Sequence, residues 1–208
     1  MGSVLYLTGF GAFPGVDRNL TGEVAEHFNS RKFGKLTVVS DVLPVSYQRS
    51  ALQVEEGIRS HKPRIIVQMG LVALDSVLRL ETWAVNEMTG RLPDCDGFQP
   101  YELPINQQNE FKSIYQTTMN VGAILEEYRR SGFPGRISCN AGRYVCNSVY
   151  YRTLSKLDKS KSKTPAIFLH LPMVGLRPFG DQRYEPWDLE RLILASEAML
   201  DSIVKVHG

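Results

Sequence analysis

The chain is short of cysteine, of net charge and of long apolar runs, and each shortage removes a class of protein. Three cysteines (Cys95, Cys139, Cys146) in 208 residues are too few for the disulfide framework of a small secreted domain. Without an export-type leader they read as reduced thiols. They show no C-x-x-C spacing, and His27, His61, His170 and His207 show no H-E-x-x-H spacing, so a metal hydrolase is set aside and no metal or cofactor is expected. A net charge of +2 with scattered Lys and Arg offers no basic stripe to a nucleic acid. The one cluster, Lys156–Lys163, reads as a solvated loop. No apolar run approaches a membrane span, and Met1-Gly2-Ser3 leads into a run too brief for a secretory leader. An M-G start suits myristoylation, but Leu5-Tyr6-Leu7 continuing as a strand counts against it. A cytoplasmic protein with no membrane partner is expected.

What is present is ordinary globular material, 43% hydrophobic and 22% charged, at a length suited to one domain over residues 1–208. Val4–Thr8, Leu36–Val45, Arg64–Met69 and Pro165–Leu171 read as strands, mostly buried ones. Ser76–Asn86 alternates inward and outward around Glu81. Asn19 or Thr21 caps a helix carrying Val24, Ala25 and Phe28, and Ser46 caps the next. Tyr115–Arg130, Asn147–Leu157 and Leu189–Val204 read as helices. Arg136–Ser138 is a brief strand, and Arg91–Ile105 a long Pro- and Gly-rich loop of the kind that is functional or disordered. Strands and helices alternate without a repeat or linker, so the expected fold is α/β: three layers around a mostly parallel central sheet.

Glycine follows the first strand, but Gly9-Phe10-Gly11-Ala12-Phe13-Pro14-Gly15 is neither a dinucleotide fingerprint nor a Walker loop. It carries two aromatics, Phe10 and Phe13, to the carboxyl edge of a parallel sheet, where such folds bind ligands. Cys146 stands before a candidate helix start, where unpaired N–H groups favour a thiolate. His170 ends an apolar strand. A nucleophilic cysteine needs such an imidazole to take its proton or hold it as an ion pair, then to protonate a leaving amine. A carboxylate behind the ring would orient it. Glu81, set in an apolar run where an unpaired charge is costly, is the best candidate, with Asp94 in reserve.

These residues fall within a wider pattern. T-G-F-G-A-F-P-G with Asn19 behind it, L-P-V at Leu43–Val45, E-T-W-A-V-N from Glu81, R-L-P-D at Arg91–Asp94, G-F-Q-P at Gly97–Pro100, A-G-R-Y-V-C-N at Ala141–Asn147 and H-L-P at His170–Pro172 occur in an order and spacing that resembles the pyroglutamyl-peptidase I family of cysteine peptidases. The resemblance implies an open α/β sandwich and a thioester mechanism that frees N-terminal 5-oxoproline from peptides. It assigns Cys146 as nucleophile, His170 as acid and base, and Glu81 as orienting carboxylate. Phe10, Phe13, Asn19, Tyr144, Val145 and Arg91 become substrate-binding residues, the aromatics gripping a flat uncharged lactam that apolar packing and a few hydrogen bonds must recognise. Arg91 is also implied to assist at the developing oxyanion. No cofactor is implied, and a homotetramer is.

Two positions depart from the pattern. Val16 stands where some members are aromatic. Gly70-Leu71-Val72-Ala73-Leu74-Asp75 replaces the G-Q-A-G-G-R of many bacterial members, so Leu71 lacks the amide that could read the lactam. Two other readings compete. A phosphate-binding enzyme of the nucleoside phosphorylase type would want basic residues in the first turn, and the first is Arg18. A non-catalytic ligand-binding descendant would be expected to lose Cys146, His170 or Glu81, and all three are present.

Overall fold

The first apolar run becomes β1 (Ser3–Phe10), which lies between β3 (Leu36–Leu43) and β4 (Ile65–Val72) and runs parallel to both. The computed structural model describes residues 3–13, 15–73, 75–107 and 112–208; Met1, Gly2, Pro14 and Leu74 of the readings above lie outside these. The sheet continues from β4 to β9 (Ala166–Pro172), again parallel, and is edged beyond β3 by the two-residue antiparallel β2 (Lys32–Phe33). On the far side of β9 the direction reverses. β5 (Leu78–Glu81) is antiparallel to β9 and carries β8 (Gly135–Ser138) parallel to itself, giving seven strands in the order β2-β3-β1-β4-β9-β5-β8.

Strand parity sorts the side chains into two layers, because successive residues of a strand point to opposite faces. Leu5 and Leu7, Ile65, Val67 and Met69, Leu78 and Leu80, and Ile167, Leu169 and Leu171 enter one core with α1 (Leu20–Phe28), α3 (Val121–Arg130) and α5 (Leu189–His207). Tyr6, Phe10, Ile66, Ala166 and Phe168 enter the other, under α2 (Arg49–His61) and α4 (Val145–Lys159). Each fully buried aliphatic side chain contributes ~1.5–3 kcal/mol. Three layers around a mostly parallel sheet match the expectation from alternating elements. Gly9 lets α1 approach: a Cβ there would stand 1.9 Å from the Thr21 carbonyl oxygen.

Several boundaries differ from the sequence reading. Ser76–Asn86 divides at Thr82, whose N–H donates to Ser138 O; β5 stays in the main sheet while β6 (Trp83–Val85) forms a separate hairpin with β7 (Ile114–Gln116). Tyr115 is therefore in a strand. The helix expected there begins only at Val121, because Thr117 spends its hydroxyl on Ala166 O and Asn120 caps the Ala123 N–H. Lys156–Lys163 begins as the last turn of α4, with Lys156 Nζ 3.2 Å from Glu55, and becomes loop only after Lys159. Ser46 Oγ does accept the N–H of Arg49, the first residue of α2, three residues on.

Candidate active site

α4 starts at Val145, not at Asn147, with Tyr144 as its N-cap residue and no side-chain cap. Cys146 therefore sits inside the first turn, where backbone N–H groups lack intrahelical acceptors. Asn147 locks this turn in place: its Oδ1 accepts the Val85 N–H at 2.9 Å and its Nδ2 donates to Val85 O and Glu87 O. β8 runs opposite to β1, β4 and β9, so the carboxyl end before Cys146 lies at a different edge from those of the other strands. The chain from Cys139 to Tyr144 brings the thiol back toward them.

Even-numbered residues of β4 and β9 face α4. Gln68 bonds Thr153 on that helix at 3.1 Å. Gly70 is the Cα partner of His170, and a Cβ on Gly70 would lie 2.8 Å from Cys146 Sγ and 2.9 Å from the Phe168 ring tip. Only glycine lets the sulfur settle here. His170 is 5% exposed, with its ring centroid 4.9 Å from that of Phe168. Its Nδ1 lies 2.8 Å from Oε1 of Glu81, which is fully buried. A buried carboxylate on Nδ1 holds the proton there and leaves Nε2 free to act as base. The Glu81 backbone is held as well, by the Tyr150 hydroxyl at 3.0 Å.

Cys146 keeps some exposure as a residue, but burial pushes its thiol up to about 12; its own N–H opposes this weakly and the Glu81 charge adds to it. The helix N-terminus alone therefore does not yield the standing thiolate that its position suggests. Burial outweighs it.

A cavity of about 550 Å³ opens beside the helix start, walled by Phe13, Glu87, Thr89, Arg91, Leu92, Glu102, Gly142, Arg143 and Tyr144. Phe13, Tyr144 and Arg91 thus share one wall. The Tyr144 hydroxyl donates to Pro93 O at 2.9 Å, its ring meets Tyr47 edge-on, and burial raises it to about 12. Phe10, expected beside Phe13 at the sheet edge, is core at 2% exposure, since it is still part of β1. Val145 is fully buried and does not line the cavity. Asn19 commits its side-chain oxygen to the Thr21 N–H and hydroxyl, capping α1. Leu71 points to the α1/α5 face by strand parity, away from the thiol.

Asp94 is buried but is not behind His170. Its two oxygens accept the N–H groups of Tyr47, Asp96 and Phe98, and so order the Arg91–Ile105 loop. The sequence reading missed Leu92, Glu87 and Arg143 in the cavity wall, although Arg143 stands three residues before Cys146. It also missed Arg79, which contacts Glu81 Oε1 at 2.9 Å. Among the described residues no three metal-ligating side chains gather, and no helix is long and apolar enough to cross a membrane.

Known proteins show the same arrangement of sequence and fold. A pyroglutamyl peptidase family model matches residues 3–191. The pyrrolidone-carboxylate peptidase of Halalkalibacterium halodurans is 34% identical over 204 residues, 98% of this chain and 100% of its own. That of Thermococcus litoralis is 36% identical over 168 residues, 80% of this chain and 74% of its own. The solved pyrrolidone carboxyl peptidase from Thermococcus litoralis superposes with a TM-score of 0.87 at 31% identity, covering 99% of this chain and 94% of that one. Pyroglutamyl peptidase I from Bacillus amyloliquefaciens gives 0.87 at 25% identity, covering 98% and 97%. These matches leave no support for the phosphorylase-like or non-catalytic readings: the chain belongs to the pyroglutamyl peptidase family and is a cysteine-type hydrolase.

Proposed function

We propose that Cys146, His170 and Glu81 remove the N-terminal pyroglutamyl residue from peptides, with the lactam held in the cavity walled by Phe13 and Tyr144. One observation carries this reading: the buried 2.8 Å contact between His170 and Glu81 lies where Gly70, Cα partner of His170, admits the Cys146 sulfur. Burial raises the thiol to about 12, so the neutral thiol predominates at pH 7. The proton therefore leaves during attack. His170 Nε2 takes it as Sγ bonds to the pyroglutamyl carbonyl carbon, and the first-turn N–H groups of α4 stabilise the oxyanion. The imidazolium gives that proton to the departing amine as the C–N bond breaks, leaving a thioester. Water then loses a proton to His170, attacks the thioester and releases 5-oxoproline, and the thiol recovers its hydrogen.

The binding set extends the sequence reading by Leu92 and contains Phe13, Tyr144 and Arg91. Phe10 and Val145 support it from the core, and Asn19 supports the turn that presents Phe13. The whole chain works as one catalytic domain: the seven strands of the main sheet are drawn from residues 3 to 172, and α5 returns across it. Free thiols fit a cytoplasmic location, and the family resemblance supports a homotetramer.

The test is chromophore release from a pyroglutamyl anilide. Cys146→Ala is expected to lower kcat/KM by about 10⁴-fold or more, and retained activity would end the nucleophile assignment. Alkylation of wild-type Cys146 by iodoacetamide is expected to climb about tenfold per pH unit through pH 9, because a raised thiol ionises only at high pH. A plateau near pH 7 would indicate a standing thiolate–imidazolium pair instead.

A further inference from the structure

Three neighbouring strands carry a nitrogen base or cation at one level. Arg79 of β5 is the Cα partner of His170 on β9 and of Arg136 on β8. Like charges directly across strands repel, and a buried guanidinium is costly unless paired. Arg79 is only 12% exposed. Two carboxylates separate the three groups. Asp75 Oδ2 accepts from Arg136 Nε at 2.8 Å and lies 3.7 Å from Arg79 Nε. Glu81 Oε1 lies 2.9 Å from Arg79 Nη2 and 2.8 Å from His170 Nδ1.

Arg79 and His170 thus share one oxygen. The other, Glu81 Oε2, is buried without a hydrogen-bond partner among the described residues. Two contacts to Oε1 therefore decide how the carboxylate is turned, and Arg79 supplies one of them. The same Nη2 donates to Ser138 Oγ at 2.6 Å and to Asn140 O at 2.5 Å. Those residues begin the segment that carries the chain to Cys146. One guanidinium therefore touches the group that orients the imidazole and the path that delivers the nucleophile.

We propose that Arg79 is a positioning residue of the peptidase reaction, holding Glu81 behind His170 and the Ser138–Asn140 segment ahead of Cys146 through one guanidinium nitrogen. The proposal rests on the Cys146–His170–Glu81 reading. Arg79 touches no reacting atom; it acts through Glu81 and through the backbone. Its charge also offsets part of the Glu81 charge felt by His170. Asp75 and Arg136 lie one step further along the sheet, tied to Arg79 and to each other, and Cys146 and Tyr150 on α4 feel the Glu81 charge.

Anilide hydrolysis by Arg79→Gln, Arg79→Lys and Ser138→Ala, each checked for folding by near-UV circular dichroism, tests this. Arg79→Gln is expected to lower kcat about tenfold or more with KM changed less than about threefold, since a small misplacement of catalytic groups is felt in the transition state. The acid limb of its kcat/KM profile moves to higher pH, because an imidazolium beside an unshielded carboxylate holds its proton longer. Arg79→Lys keeps the charge and loses the guanidinium. It is expected to restore the acid limb while kcat stays about fivefold low, and Ser138→Ala is expected to cost about two- to threefold in kcat. If Arg79→Gln fails to fold, the last two variants decide by the same criteria. Wild-type kcat and an unmoved acid limb across the folded variants overturn the proposal. Cys146→Ala, run alongside, separates the two failures: if it is active the triad reading falls, and if it is dead only the role of Arg79 is at stake.

Discussion

Side chains of β1, β4 and β9 that point toward α1 and α5 are Leu5, Leu7, Ile65, Val67, Met69, Ile167, Leu169 and Leu171, all buried hydrophobics. From the same strands, Tyr6, Thr8, Ile66, Gln68, Gly70, Phe168 and His170 point toward α2 and α4. On the first face these strands present only apolar side chains. The other buries polar atoms that lack partners among the described residues, including Thr8 Oγ1, Gln68 Oε1 and Glu81 Oε2. Each such atom costs ~1–3 kcal/mol, and the opposite face supplies the burial that offsets it. Stability and chemistry are segregated to two sides of one sheet, residue by alternate residue.

Met69 and Gly70 are adjacent on β4 and divide across the two faces, so they give the sharpest separation. Gly70→Ala sets a methyl 2.8 Å from Cys146 Sγ. It is expected to lower kcat about a hundredfold, with a stability cost of ~1–3 kcal/mol from overpacking. Met69→Ala is expected to cost ~2–5 kcal/mol with kcat of the folded enzyme unchanged. Measuring anilide kinetics and urea midpoints on both variants settles it; equal losses of kcat would erase the distinction between the faces.

The loop aromatics divide in the same way within one turn of chain. Phe10→Ala is expected to destabilise by ~3–5 kcal/mol, since its ring is buried core. Phe13→Ala is expected to leave the urea midpoint nearly unchanged and raise KM about fivefold or more, through lost apolar contact with the lactam. A KM effect at Phe10 and none at Phe13 would exchange their roles.

How far the sequence foretold this division depends on the range of the interactions. Cys146 and His170 were legible from residue type and element ends, and Glu81 because a carboxylate in an apolar run demands a partner. The parity that puts His170 and Gly70 on one face follows from period two alone. Arg79 was not singled out: period two puts it on the same face as Glu81, but only pairing with β9, about ninety residues on, buries that face. The same non-local choice hides the reversal at β5 and the splitting of β6 into a hairpin. Phe10 was misjudged by a boundary, since β1 runs two residues past the expected end. Helix position argued for a thiolate at Cys146, and the burial that opposes it involves Gly70 of β4, 76 residues away in the chain.

The smallest expected effect concerns two tyrosines placed one on each side. Tyr47 packs against Tyr144 and Phe98 on the α2/α4 face, and Tyr128 lies under α3 on the other; each hydroxyl is buried without a hydrogen-bond partner among the described residues. Burial raises both phenols above their ordinary range, so each stays neutral and the hydroxyl matters only as an unmet donor and acceptor. Removing an unmet polar group relieves its desolvation cost. Tyr47→Phe and Tyr128→Phe are each expected to be neutral or to gain up to ~1 kcal/mol, a rise of about 2–4 °C in Tm for a chain of this size. If both gain alike, orphaned hydroxyls are a general cost of the fold. If Tyr128→Phe gains and Tyr47→Phe loses ~1 kcal/mol or more, the Tyr47 hydroxyl is bonded in solution, and the excess of unmet polar groups on the catalytic face shrinks by one.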